Sequence, residues 1–284
     1  MPVILLIRDG TPNWWESPDI WVVPGTDPSG PAGTPIVGQM AYLWANITNQ
    51  GDVDAAQVQV DFWVADPSMQ IRKSTSNHVG TAYADISAGM SQDVLCLVPW
   101  NVTLVNGGHE CGVVEASSPA DPLSPAPADP DVLDAPTYRQ IAQRNLSVAT
   151  MMGQARREII LSINAGARAD KEVDVNVEVG GELSKNMLES LGLRANRSTG
   201  TKHIGAVLSE HSLCGSSAPG QRQSMKVHVP RGTSAPLYLN IVASGQMARE
   251  EYALVRVVEI DHDRVIGGLS VIVVDGQQKK GSER

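Results

Sequence analysis

The stretch Gln57-Val58-Gln59-Val60-Asp61-Phe62-Trp63-Val64 sets Val58, Val60, Phe62 and Val64 against Gln57, Gln59, Asp61 and Trp63. A two-residue period of apolar and polar side chains is the mark of a strand with one buried and one wet face. Trp63 falls on the wet face, opposite Phe62. A Trp there is either covered by another segment or exposed for a partner. Working outward, residues 39–48 form the preceding strand and Asn49-Gln50-Gly51-Asp52 the turn between the two. Further strands are expected over 78–86, 92–98 and 110–116, punctuated by Pro99-Trp100 and Asn106-Gly107-Gly108. Short strands at this spacing indicate a β-sandwich, and the span 30–118 suits one immunoglobulin-like module.

The chain has 284 residues, 42% hydrophobic and 19% charged, with 26 Gly and 18 Pro. That length accommodates two domains, and the apolar content excludes a largely disordered chain. All six Trp and the one Phe lie within 14–100. The two halves are therefore different modules rather than a duplicated pair. The apolar run Val3–Ile7 is too short to cross a bilayer or to form a signal-peptide core. The expectation is a chain without a leader or membrane insertion, cytoplasmic or part of a particle.

Charge divides the molecule. Residues 1–138 hold three basic side chains (Arg8, Arg72, Lys73) against sixteen acidic ones, a net charge of −13, while 139–284 carry +4. The front half repels nucleic acid and anionic lipid. The back half has a basic stretch through Lys185, Arg194, Arg197, Lys202, Arg222, Lys226 and Arg231. No aromatic residue lies between Tyr138 and Tyr238 to stack on a base, so nucleic acid is not an expected partner.

Six of the eighteen prolines lie within 119–136, interleaved with Asp121, Asp129, Asp131 and Asp134. This composition reads as an extended linker. Strands are then expected over 158–164, 172–179, 203–208, 224–229, 237–243, 252–260 and 269–274. Ser184 caps one short helix whose Met187, Leu188 and Leu191 share a face before Gly192. Asp261-His262-Asp263-Arg264 reads as a hairpin tip. The expected fold is all-β, two unlike immunoglobulin-like β-sandwich domains in tandem. Its parts are an N-terminal arm (1–29), a sandwich (30–118), a Pro/Asp-rich linker (119–137), a second sandwich (138–275) and a polar tail (276–284).

Gly38, the run Ala45-Asn46-Ile47-Thr48-Asn49-Gln50-Gly51, Ala55-Ala56 and the strand ending at Asp66-Pro67 together resemble the bacterial CARDB modules, an adhesion-related immunoglobulin-like family. In that family an inward strand ends at an Asn-x-Gly turn and a small residue opens the next strand. The Gly89 turn and its following strand fit as well. Trp14-Trp15-Glu16-Ser17-Pro18-Asp19-Ile20-Trp21-Val22, and Gly108-His109-Glu110-Cys111 with Ala116 and Asp121-Pro122, are similar to an arrangement found around such modules. The similarity covers about residues 10–150. It implies a sandwich and a binding or scaffolding role rather than a reaction.

The candidate chemistry is sparse. His109-Glu110-Cys111, with Cys96, offers zinc-ligand types, but no closely spaced ligand pair is present. The expectation is that Cys96 and Cys111 face inward beside Val113 as reduced thiols. His211-Ser212-Leu213-Cys214 sits in no strained nucleophile turn. Asp121, Asp129, Asp131 and Asp134, with Glu115, supply oxygens suited to calcium at a spacing that matches no defined loop. No catalytic, cofactor or metal residues are therefore assigned. Trp14, Trp15, Trp21 and Trp63 are the candidate interaction residues. For the first three the alternative is an arm that folds back and plugs the first sandwich. The expected function is a non-catalytic structural or interaction protein, a subunit of a bacterial or phage-related assembly whose protein partners include its own copies. The alternatives are an adhesion or carbohydrate-binding module and a metal-dependent hydrolase.

Overall fold

The computed structural model describes residues 2–66, 71–103, 111–164, 169–212 and 223–276. They form two compact units that divide between Asn145 and Leu146. The protein is all-β, two unlike sandwiches in tandem, and its α-helix has six residues. Among the described residues no helix is long and apolar enough to cross a membrane.

The first unit contains β1 (Leu5–Leu6), β2 (Ile20–Pro24), β3 (Met40–Asn49), β4 (Ala55–Ala65), β5 (Asn77–Ile86), β6 (Ser91–Leu95), β7 (Trp100–Asn101), β8 (Cys111–Ser117) and β9 (Ile141–Arg144). In one sheet β3 is central, with β1 and β2 along one side and β6 and β7 along the other. The other sheet runs β5-β4-β8-β9. Alternation decides what lies between them. Leu43, Ala45 and Ile47 from β3 meet Val58, Val60, Phe62 and Val64 from β4, with Val114 and Ala116 from β8. Burying Phe62 alone stabilises the unit by about 2–3 kcal/mol.

Asn49, at the end of β3, is fully buried and spends its amide on four backbone groups. Its Oδ1 accepts from Ile4 N (3.2 Å) and Gly51 N (3.0 Å), and its Nδ2 donates to the carbonyls of Val53 (2.8 Å) and Ile86 (3.2 Å). One side chain thereby ties the N-terminal strand, the β3–β4 turn and the end of β5. The turn must be glycine at 51, because a Cβ there would lie 2.1 Å from the Pro2 carbonyl oxygen. Asn49→Ala strands these four groups in the interior, and a loss on the order of 3 kcal/mol is expected in urea unfolding.

Two boundaries differ from the sequence expectation. The arm is not an appendage. β1 and β2 both pair with β3, residues 15–17 run along β9 (Ser17 N to Gln143 O, 3.0 Å; Asn145 N to Trp15 O, 2.8 Å), and the buried Arg144 guanidinium donates to the Ile20 carbonyl. The Pro/Asp-rich stretch is not a linker either. Its acids find a cation of the front half: Asp129 and Asp131 pair with Arg72 (2.7 and 2.8 Å), and the adjacent Lys73 pairs with Glu115 of β8. Arg139 and the Leu5 amide meet on Asp121. Leu133 and Ala135 are buried, and Leu133 N donates to Ile71 O (2.9 Å). Residues 138–145, expected in the second sandwich, carry β9, which pairs with β8. Proline disfavours ladder pairing but not packing, so composition alone mistook a strap for a spacer.

The second unit contains β10 (Leu146–Met151), β11 (Arg156–Asn164), β12 (Lys171–Val179), α1 (Lys185–Ser190), β13 (Arg197–Ser198), β14 (Ile204–Ser209), β15 (Ser224–Val229), β16 (Ser234–Ala243), β17 (Glu251–Asp261) and β18 (Arg264–Asp275). The large sheet runs β10-β18-β17-β12-β15, with β13 also on β17, and faces the small sheet β11-β16-β14. The inward sides of both form one core that includes Val175, Leu239, Val255 and Val271. Helix α1 covers the outer side of the large sheet, where Leu188 and Leu191 pack with Tyr252, Leu254 and Ile272. Its cap is the expected one, Ser184 Oγ accepting from Met187 N (3.2 Å).

Glu259 lies on the inward side of β17 at a bulge, and its Oε2 has no hydrogen-bond partner among the described residues. Burial pushes its carboxyl up to about 8. At pH 7 the native state keeps this proton, whereas the unfolded chain releases it near the ordinary 4.5. The resulting penalty is absent below that pH, grows through neutrality and is complete above about 8. Glu259→Gln is expected to raise stability by on the order of 3 kcal/mol at pH 7, and by nothing near pH 4. Denaturant titrations at the two pH values check this.

Candidate interaction site

The side of the first sandwich between β5 and β6 is open. Among the described residues β5 pairs only with β4, and β6 only with β3, so each presents a free backbone edge. Between these edges lies a groove of about 560 Å³. Its origin is in the sequence of β5. The inward positions Ala82 and Ala84 face the core with methyl groups where β4 supplies Val58 and Val60 at the paired positions. Small side chains at a sheet edge leave the space between the sheets unfilled. Tyr83 (61% exposed) and Leu97 (76% exposed) stand at the rim, and Asp85 and Asp93 line the groove with no Lys or Arg among its walls. Beyond the groove the edge is shut. Cys96 and Val98 lean on Gly80 of β5 so closely that a Cβ at 80 would lie 3.0 Å from both side chains.

The outer face of β4 and β5 adjoins this edge. The register sets Gln59 against Tyr83, Asp61 against Thr81 and Trp63 against His78. Asp61 gathers three donors here: Thr81 Oγ1, the His78 ring at 3.1 Å and Gln59 Nε2 at 2.7 Å. Trp63 is half-buried against His78, ring centroids 4.4 Å apart, and its indole N–H is buried without a partner among the described residues. The result is a hydrogen-bonded polar cluster between two aromatic side chains.

The other candidate Trp residues have different fates. Trp14 and Trp15 are 9% and 1% exposed and pack edge to face at 5.7 Å. They are core of the first unit, not anchors for a partner. Trp21 stacks on Trp44 across the β2–β3 ladder (5.8 Å, 11°), and Trp44 Nε1 donates to the Pro28 carbonyl (3.0 Å).

Of the acids suggested for calcium, Asp121, Asp129, Asp131 and Glu115 point to their cations and backbone donors, as described above. Among the described residues no group of three or more His, Cys, Asp or Glu is arranged for a metal. His109 and Glu110, and likewise Leu213 and Cys214, lie outside the described residues. Cys96 joins the core between the sheets, whereas Cys111 and Val113 occupy the opposite face of their sheet from Val114. The inward orientation expected for Cys111 is therefore corrected. It is nonetheless fully buried, with Gln143 and Arg144 of β9 beside its thiol. Burial pushes both thiols up, Cys111 far above the ordinary thiol range. Alkylation under native conditions should leave Cys96 and Cys111 unmodified. Peptide mapping by mass spectrometry before and after unfolding checks this.

No family model and no curated protein matches the chain. The CARDB resemblance therefore rests on the residues quoted for it. Similar solved structures include the CupB6 tip adhesin from Pseudomonas aeruginosa (10% identity, 96% of this chain and 98% of that chain, TM-score 0.26). Red sea bream transglutaminase aligns with 9% identity over 90% of this chain and 31% of that one, TM-score 0.23. The collagen adhesin CNA from S. aureus aligns with 11% identity over 90% and 92%, TM-score 0.21. Scores this low carry no argument about function.

The groove residues escape a reading by hydrophobic period, because Ala82 and Ala84 look like weak core positions. The available signal is their smallness, Thr81-Ala82-Tyr83-Ala84-Asp85, beside strands that supply Val and Phe at the same positions.

Proposed function

We propose that this protein is a non-catalytic interaction subunit of a larger assembly, and that it engages protein through the open edge of its first sandwich. The observation that carries this reading is the pair of edge strands, unpaired among the described residues, that flank an unfilled groove with Tyr83 and Leu97 exposed at its rim. Free strand edges and exposed apolar side chains are the features that soluble proteins otherwise suppress. The engagement of Asp121, Asp129, Asp131 and Glu115 in ion pairs, and the burial of Cys96 and Cys111, support a structural role for the groups that resembled chemistry.

The charge distribution supports association between copies. An acidic front and a basic back attract as unlike surfaces, and such heterologous contacts build rings or filaments instead of closed two-fold dimers. Light scattering over a concentration series at low and high salt tests this. The expected result is reversible growth in mass that slows as salt screens the halves. A strict monomer at every concentration in both buffers removes self-association from the proposal.

A further inference from the structure

Resting on the reading of the β5–β6 edge as an interaction site, we infer that its occupant is a single extended peptide segment in which Lys or Arg alternates with small or medium apolar residues, supplied by a partner protein. Three features of the groove select that chemistry. The first is shape. The five residues Thr81–Asp85 of β5 border the groove, with Gln92–Leu95 and Leu97 opposite, a length of about 17 Å at about 3.3 Å per residue. Five residues of extended chain fit that length, and the 560 Å³ volume suits one strand between the sheets rather than the rim of another folded sheet. The second is hydrogen bonding. The free edges of β5 and β6 offer backbone donors and acceptors that only a strand satisfies along its whole length.

The third feature is the alternation of the walls. A strand entering here turns successive side chains to opposite sides. One set meets the space above Ala82, Ala84 and Val94, where apolar groups of moderate size replace the missing bulk. The other set emerges beside Asp85 and Asp93. Among the described residues Asp93 accepts only the Asn46 amide, and Asp85 accepts from the backbone and side chain of Gln57, so neither is matched to a cation there. The front half as a whole carries −13 and reinforces the preference for a basic strand.

The test uses the full chain and three fluorescein-labelled ten-residue peptides read by anisotropy: alternating Val-Lys, alternating Val-Glu, and alternating Gly-Lys as the control of equal charge. The inference predicts saturable one-to-one binding of Val-Lys, at least tenfold tighter than Gly-Lys, and no binding of Val-Glu. Replacing alternate Val by Pro, which removes edge donors, should abolish it. Filling the groove with Ala82→Leu and Ala84→Leu should weaken binding at least tenfold. Asp93→Asn should weaken it severalfold and flatten its salt dependence, and this variant serves if the filled groove does not fold. Equal affinity for Val-Lys and Gly-Lys, or undiminished binding to the filled groove and to Asp93→Asn, overturns the inference. So does failure of Val-Lys to bind while light scattering still shows association of the chain, a result that leaves the broader interaction reading standing. If filling the groove abolishes self-association in light scattering, the occupant is a second copy and the separate partner strand is wrong.

Discussion

The first sandwich depends on one buried amide. Asn49 satisfies donors and acceptors from the N-terminal strand, the β3–β4 turn and the end of β5 at once. A buried amide is costly unless every group it faces is paired, so the four partners are held to one arrangement. Once residue 4 is fixed there, the chain N-terminal to β2 has to run across the bottom of the sandwich. That path brings β1 onto β3, carries residues 15–17 along β9 and buries Trp14 and Trp15. The close approach of Pro2 to Gly51 is the steric side of the same constraint.

Charge is used economically in this unit. Arg8, Arg72 and Lys73 are the only cations before residue 139, and each is committed. Arg8 holds the buried carboxylate of Asp19, Arg72 takes Asp129 and Asp131, and Lys73 takes Glu115. Partly exposed pairs such as those of Arg72 contribute little individually, but here they fasten a proline-rich segment that cannot be held by a continuous backbone ladder. Asp85 and Asp93 are left to line the β5–β6 groove, which makes it acidic.

The two units handle sheet edges differently. In the second, a parallel β10 extends the large sheet and α1 covers its outer face. In the first, β1, β2 and the residues along β9 close one side, while small residues on β5 leave the other open. A protein that spends an arm on sealing one side and leaves alanines on the other is built asymmetrically about its sandwich. The functional reading follows from that asymmetry.

Much of this was legible in the residues. The two-residue period of β4 and β12, the Asn49–Gly51 and Asp261–Arg264 turns, and the Ser184 cap arise from interactions between near neighbours, which the sequence displays directly. The sequence thus determined an all-β chain of two unlike halves, most of the strand positions and the polarity of charge. What only the tertiary structure decided were the partners of segments without a period. Residues 10–19 and 119–138 are irregular, and their places are set by Arg144 reaching the Ile20 carbonyl and Asp121 the Leu5 amide, groups far along the chain. The open edge is of the same kind. An Ala at an inward position reads as core in sequence. Whether it lies in a packed interior or beside a gap depends on which strand stands next to it, and long-range pairing alone settles that.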